Sequence, residues 1–350
     1  MTFSYAAEAN YDSAVYIGRF QPFHLGHLAL LRQALALAPK VVIVVGSAHQ
    51  ARTPKNPFTW QERAEMISQA LSPAERERVC FVPVRDYYKE GRWVQAVTAG
   101  VAAQVPGARR IALVGHFKDA SSYYLRSFPS WDLKDCERQC DIDATALRRV
   151  MFDTPGQPPA AIFAVLKDKV PDGTREFLTA WWSLPYAARL AVDSAWLQDY
   201  WRKWTAPFYN AADALVVCQK KVLLIERGRG QGAGLLALPG GFMEKGQGFY
   251  ETAVRELAEE TNFGMYRSSL DSYLVGKEVF DHPDRSLRAR IISVAYHFEL
   301  GSMRLPEVSA GDDARQGSAR WVPIEDLPGL EERFFEDHFH ILDHFLGLTT

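Results

Sequence analysis

Two groups of reactive side chains stand out, one near each end of the chain. The first is the string Gly18-Arg19-Phe20-Gln21-Pro22-Phe23-His24-Leu25-Gly26-His27. It directly follows a short apolar run, Ala14 to Ile17, and precedes a helical stretch, so it sits where a strand turns into a helix. A helix N-terminus offers unpaired N–H groups and a partial positive charge, which suit phosphate. Gly26 lets the backbone approach a ligand closely, and His24 and His27 can both address a polyphosphate. Transfer of a nucleotidyl group needs this kind of site: in-line positioning, and donors for charge growing on phosphoryl oxygens.

The second group is Arg255-Glu256-Leu257-Ala258-Glu259-Glu260. On a helix, Glu256 and Glu260 lie one turn apart and share a face. Like charges so crowded destabilise an isolated helix, and a cation is the natural compensation. Carboxylate oxygens favour magnesium or manganese, and such an ion polarises a diphosphate and activates water.

These groups must be positioned by two different kinds of fold. In the first half, apolar runs at 14–17, 41–45, 79–84 and 111–114 alternate with helical segments at 28–38, 61–71 and 93–104. The β-branched run Val41 to Val45 reads as a strand buried on both faces. Strand–helix alternation predicts an α/β doubly wound parallel sheet with ligands at the carboxyl ends of its strands. The second half opens with a hairpin-like pair, Ala214–Val217 and Val222–Ile225. A glycine-rich loop, Leu238-Pro239-Gly240-Gly241 and a helix over 249–261 follow. Strands at 291–300 and 319–322 and a final helix from about Ile324 or Glu331 to Leu346 complete an α+β order. The expected domains are 12–171 and 207–350, joined by an aromatic-rich helical linker, 172–206. Its Phe177, Trp181, Trp182, Trp196, Tyr200, Trp201 and Trp204 should pack on one or both domains, with a contact between two copies of the chain as the alternative.

Composition bounds the rest. The chain has 350 residues, 47% hydrophobic and 23% charged, as in a globular protein of two ordinary domains. A net charge of −2 argues against a nucleic-acid partner. No apolar run is long enough to span a membrane, and the polar N-terminus lacks a signal pattern, so a cytoplasmic location is expected. The four cysteines are too few and scattered for a disulfide framework; Cys136 and Cys140 find no further zinc ligands nearby. His340 and His344 read as surface residues of a packing helix.

The first string resembles the HxGH nucleotidyltransferases, and in full it is similar to nicotinamide mononucleotide adenylyltransferases of the archaeal type. Further matches run in order: Gly46-Ser47-Ala48-His49, Asn56-Pro57-Phe58-Thr59 with Glu62-Arg63, Pro83 to Asp86 with Trp93, and Ile142-Asp143-Ala144-Thr145-Ala146-Leu147-Arg148. The resemblance implies His24, His27 and Lys55 as catalytic. It implies Gly18, Arg19, Phe20, Gly26, Arg52, Thr145 and Arg148 around ATP, and Asp86 and Trp93 at the nicotinamide ring. Gly115, His116 and Lys118 follow the fourth strand as further substrate contacts. Asp143 replaces the usual Ser; an acid there would repel phosphate, so it is expected to cap the next helix.

The second string resembles the Nudix box, with Gly241 at the required interval. That implies Glu256, Glu260 and the Gly240 carbonyl as metal ligands, with Glu259 assisting. Gln247 replaces the box's first Glu and Asn262 its final Gly; Asn tolerates a left-handed terminus. Nudix domains fused to this adenylyltransferase use ADP-ribose, which assigns Arg227 or Arg290 to its phosphates and Asp312 or Asp313 to a late-loop carboxylate. The expectation is a bifunctional enzyme of NAD metabolism acting on ATP, nicotinamide mononucleotide and ADP-ribose with Mg2+ or Mn2+. The alternatives are nicotinate mononucleotide as acceptor, or a Nudix half that senses a nucleotide without cleaving it.

Overall fold

A computed structural model describes residues 11–116, 124–136, 141–153, 158–265, 267–311, 314, 315 and 318–349. Lys118, Cys140, Asp312 and Asp313 lie outside them. Two compact units divide between Ala191 and Val192.

In the first unit five strands are all parallel, in the order β3-β2-β1-β4-β5. They are β1 (Ser13–Gly18), β2 (Val41–Val45), β3 (Val79–Pro83), β4 (Ile111–Gly115) and β5 (Asp132–Asp135). The helices are α1 (Leu25–Leu37), α2 (Trp60–Gln69), α3 (Pro73–Arg76), α4 (Glu90–Gln104), α5 (Ala144–Phe152), α6 (Pro159–Leu166), α7 (Asp172–Trp181) and α8 (Pro185–Lys203). Alternation along the strands feeds two cores. Ala14, Tyr16, Val41, Ile43 and Val45 face one, while Val15, Ile17, Val42 and Val44 face the other. Strand order reverses between β1 and β4, and at such a switch point the turns after neighbouring strands diverge and open a crevice. The site residues after β1, β2, β3 and β4 all fall at that edge.

The second unit is a mixed sheet in the order β10-β11-β6-β7-β12, with β9 on β6 and β8 on β7. Its strands are β6 (Tyr209–Cys218), β7 (Lys221–Glu226), β8 (Leu236–Ala237), β9 (Gly240–Phe242), β10 (Leu274–Phe280), β11 (Ile291–Glu299) and β12 (Arg320–Pro323). Only β6 and β11 run parallel; the other pairs are antiparallel. Helix α9 (Phe249–Thr261) packs Ala253 and Leu257 onto the β6–β11 face. Short α10 (Arg267–Leu270) follows, and α11 (His338–Leu346) closes the unit after a 3-10 stretch, Ile324–Arg333. The final helix thus starts later than Ile324 or Glu331: Pro328 lies in the 3-10 stretch, and the extended Phe334 and left-handed Glu336 break the helical path before His338.

The aromatic stretch divides between the units. Trp181 is 2% exposed and, with Leu178, Ala187 and Leu190, belongs to the first core, where Trp182 stacks on Phe152. Trp196, Tyr200 and Trp204 form a stacked series within the second unit. The boundary between units therefore falls inside α8.

Candidate active sites

In the first unit, His24 is the N-cap of α1 and the two histidines cap each other. His27 N–H donates to His24 Nδ1 and His24 N–H donates to His27 Nδ1, both at 3.3 Å. The rings stack with centroids 3.5 Å apart. Since each Nδ1 accepts a backbone proton, each neutral ring carries its own proton on Nε2 and offers it as a donor. Burial, then the neighbouring His24, hold the His27 imidazole well below its ordinary value. His27 is therefore neutral at pH 7, a hydrogen-bond donor to phosphate rather than a reserve of positive charge.

The loop before it is held rigidly. Phe20 adopts a left-handed backbone (φ 52) and its ring lies over Gly18, where a Cβ would sit 2.7 Å from the ring. Two buried guanidiniums then grip carbonyls on either side of Phe20. Arg63, 1% exposed, donates to the carbonyls of Arg19 (2.7 Å), Gly46 (2.6 Å), Ser47 (3.1 Å) and Thr59 (3.2 Å). Arg148 donates to the Gln21 carbonyl (2.7 Å) and to Thr145 Oγ1 (3.1 Å). Burial, with Arg19 adding like charge, lowers Arg148 to about 10, so it stays cationic. Arg19 is exposed, its stem beside Gly46. Asp143 caps α5 by accepting from Thr145 N–H at 2.9 Å, as its replacement of Ser required.

Several expected contacts have partners of their own. Arg52 forms a bidentate pair with Glu62, donates to the Pro57 carbonyl (2.8 Å) and lies 4.2 Å over the Tyr186 ring. It acts as a brace of the loop that carries Lys55. Asp86 accepts from Ser47 Oγ (2.7 Å) and Gln50 Nε2 (2.8 Å), which ties the turn after β3 to the turn after β2. Trp93 packs edge-on against Tyr124 and Phe128 at the start of α4. His116 faces Asp135 at 3.6 Å, and the Gly115 carbonyl accepts from Cys136 N–H. Sequence reasoning missed Tyr124, which meets both Trp93 and the Ile17 carbonyl (3.5 Å), and the clamp made by Arg63. A lone Tyr carries no pattern, and the Glu62-Arg63 match does not say which carbonyls the guanidinium meets; only the fold brings these residues to the strand ends.

In the second unit, α9 folds its carboxylates onto β9. Glu260 accepts from Gly240 N–H at 2.9 Å, and Glu256 occupies the space where a Cβ at Gly241 would stand. Gly241 is needed because the Glu256 carboxylate approaches the strand this closely, and Gly240 because a Cβ there would stand 2.3 Å from Asp213 Oδ1 of β6. Arg255 bridges Glu256 (2.8 Å) and Glu259 (2.6 Å), and donates to Gln247 Oε1 (3.2 Å) and the Phe242 carbonyl (3.1 Å). Gln247 thus meets Arg255 through a neutral acceptor. Its amide nitrogen donates to Glu244 at 3.1 Å. Asn262 ends α9 in a left-handed conformation and binds Ser309 through its side chain, a tie that glycine could not make. Arg227 lies 3.8 Å over the Phe335 ring, and Arg290 turns its guanidinium to the Asp281 carbonyl.

The donor chemistry fits a hard divalent ion: two carboxylates and a strand carbonyl, all oxygen. Among the described residues no three His, Cys, Asp or Glu side chains gather into a fuller shell.

Fold and sites together define a doubly wound nucleotidyltransferase unit followed by a Nudix unit, and comparisons with known proteins agree. Residues 15–149 match the cytidylyltransferase-like family and residues 208–345 the NUDIX domain. A nicotinamide/nicotinic acid mononucleotide adenylyltransferase of Acinetobacter baylyi is 38% identical over 168 residues, 48% of this chain and 85% of the relative. An archaeal relative from Methanolobus tindarius is 45% identical over 84 residues, 24% of this chain and about half, 48%, of its own length. A bifunctional NMN adenylyltransferase/ADP ribose pyrophosphatase of Francisella tularensis, crystallised with AMP and a manganese ion, is 33% identical. The match covers 96% of this chain and 99% of that one, with a TM-score of 0.87. The chain belongs to the nicotinamide mononucleotide adenylyltransferase family, in the form that carries a Nudix domain. Among the described residues, no helix is long and apolar enough to cross a membrane.

Proposed function

We propose that the chain is a bifunctional enzyme of NAD metabolism. The first unit joins AMP from ATP to nicotinamide mononucleotide, releasing pyrophosphate. The second hydrolyses ADP-ribose to AMP and ribose 5-phosphate. The observation that carries the reading is the pair of mutually capped histidines at a doubly wound switch point, in one chain with a carboxylate helix folded onto a Gly-Gly strand.

In the first unit a phosphate oxygen of the mononucleotide attacks the α-phosphorus of ATP in line. The Nε2–H groups of His24 and His27 donate to phosphoryl oxygens, while Arg148, Arg19 and Lys55 offset charge on the departing pyrophosphate. Thr145 and Gly26 shape the phosphate turn, Trp93 and Asp86 bound the nicotinamide end, and His116 borders it after β4. In the second unit Glu256, Glu260 and the Gly240 carbonyl would hold Mg2+, with Mn2+ as a substitute. The ion supplies charge neutralisation at the diphosphate and a more acidic water. Glu259 assists, and Arg227 or Arg290 meets substrate phosphate.

The test is product analysis. Purified protein with magnesium is offered ATP with nicotinamide or nicotinate mononucleotide, and separately a panel of dinucleotides and ADP-ribose. NAD from the first mixture and AMP with ribose 5-phosphate from the second are expected. No dinucleotide product, or ADP-ribose bound but uncleaved, would reject the corresponding half.

A further inference from the structure

The segment Leu238-Pro239-Gly240 carries the strand carbonyl assigned to the cation, and its backbone is held at each of the three residues. The Leu238 N–H donates to Nδ1 of His338 at 3.0 Å, across 100 residues of chain. The Pro239 carbonyl accepts from Ala214 N–H at 2.8 Å, and the Gly240 N–H donates to Glu260 at 2.9 Å. Ala214 bonds Pro239, and the Asn210 carbonyl accepts from Met243 N–H, so the bonded positions of the antiparallel β6–β9 pair fall on alternate residues. Gly240, opposite Asp213, lies at a non-bonded position between them. Its N–H and C=O therefore both point away from β6, to the side where Glu260 stands.

His338 is itself held from behind. It is 8% exposed and opens α11. Asp337, just before it, accepts two bonds from the buried Arg285 guanidinium, each at 2.8 Å. The Phe335 N–H donates to the Leu236 carbonyl at 2.8 Å, so residues 335–338 clasp residues 236–238 at two points. Only Pro239 separates Leu238 from Gly240, and its ring fixes φ. A shift at Leu238 therefore passes to Gly240 with little absorbed on the way.

We propose that His338 is a positioning residue for the cation of the second unit: through the Leu238 N–H it sets the place of the Gly240 carbonyl. The inference rests on the reading of α9 and β9 as a cation site, and adds a residue that touches neither the ion nor the substrate. Groups that hold a metal ligand in place matter to affinity, and their loss commonly weakens metal binding about tenfold or more. The buried Arg285–Asp337 pair then acts at a distance, keeping His338 in register with Leu238.

The test is Mn2+ binding to the substrate-free full chain, followed by electron paramagnetic resonance, with circular dichroism to show that each variant is folded. Glu260→Gln marks the site: the ion lost in that variant is the one at α9. His338→Leu should weaken that ion about tenfold, and raise the magnesium needed for half-maximal ADP-ribose hydrolysis alike. KM for ADP-ribose at saturating magnesium should change little. His338→Asn places its oxygen where Nδ1 stands, so it should bind Mn2+ nearly as the wild type does. His338→Gln, whose oxygen reaches out toward the Nε2 position, should bind it more weakly. NAD synthesis should be unaffected in all three. Wild-type Mn2+ affinity in a folded His338→Leu overturns the proposal. Where the leucine variant does not fold, the other two decide: weaker binding in His338→Gln than in His338→Asn supports it, and equal binding overturns it. If no Mn2+ bound by the wild type depends on Glu260, the cation reading of α9 fails first, and the proposal with it.

Discussion

Replacing Gln247 by Glu restores the carboxylate that the Nudix pattern places there, and the structure shows what that charge would meet. Gln247 Oε1 lies 3.2 Å from Arg255 Nε, and Gln247 Nε2 lies 3.1 Å from Glu244 Oε2. A new negative charge would repel Glu244 by about 1.3 kcal/mol at that separation in fully hydrated surroundings, and would attract Arg255 by a similar amount. Arg255 is only 20% exposed and Glu244 is exposed, so the attraction is screened less than the repulsion. Arg255 would then be drawn from Glu256 and Glu259, leaving Glu256 a better ligand for a cation. Surface charge pairs rarely exceed about 1 kcal/mol, which sets the scale at about fivefold. Gln247→Glu should therefore lower the magnesium concentration for half-maximal ADP-ribose hydrolysis about fivefold. Glu244→Gln, removing the carboxylate already present, should raise it. The transposed double variant should match Gln247→Glu or surpass it, having lost the repulsion. The assay is AMP release across a magnesium titration. If none of the three variants shifts metal dependence or rate, the loop carboxylates have no part in holding the cation.

The two activities should separate: His27→Ala should lose NAD synthesis and keep ADP-ribose hydrolysis, and Glu260→Gln should do the reverse. Loss of both in either folded variant would refute a two-site enzyme. Trp93→Ala should weaken the mononucleotide more than ATP, by about 1–3 kcal/mol if the indole is a ring platform; equal changes in both Michaelis constants would deny it that role. Trp181→Ala should destabilise the first unit by about 3–5 kcal/mol, as a buried indole lost from a core does, read from urea unfolding. His27 is held below its ordinary pKa of 6.5, so the unfolded chain takes up that proton first. Its contribution is complete above about pH 6.5 and falls as pH drops below it, by at most about 1.4 kcal/mol per pH unit. His27→Gln should flatten that slope in urea midpoints, and an unchanged slope would show that His27 is not the group responsible.

What could be read from the residues alone was whatever repeats locally. Val41–Val45 and Phe249–Thr261 have the bounds expected of them, because a β-branched run and an apolar stripe among charges are signals within one element. Strand β5, Asp-Leu-Lys-Asp, carries three charges in four residues, and β10 carries Lys277 and Glu278 on an exposed sheet edge. Both exist through pairing with β4 and β11, which no local pattern announces. The histidines, Arg148 and the box glutamates were visible because their spacing is their chemistry. The engagement of Arg52 by Glu62, of Asp86 by Ser47 and Gln50, and the four-carbonyl grip of Arg63 depend on contacts distant in sequence. Those appear only once the strands are side by side.

The place where the two units divide has a practical corollary. Because it falls within α8, no loop cleavage parts the halves at their natural seam. A fragment beginning at Pro207 would discard Trp196, Tyr200 and Trp204, and would uncover Tyr209, against which Trp204 packs edge-on. A fragment ending at Pro171 would strip Leu178 and Trp181 from the other core and leave Phe58 and Phe152 facing water. Either product would be sticky and poorly soluble for reasons unrelated to its chemistry. Genetic exchange of Nudix halves between relatives should therefore succeed only when the junction respects the helix turn near Ala191, so that each half inherits its own tryptophans.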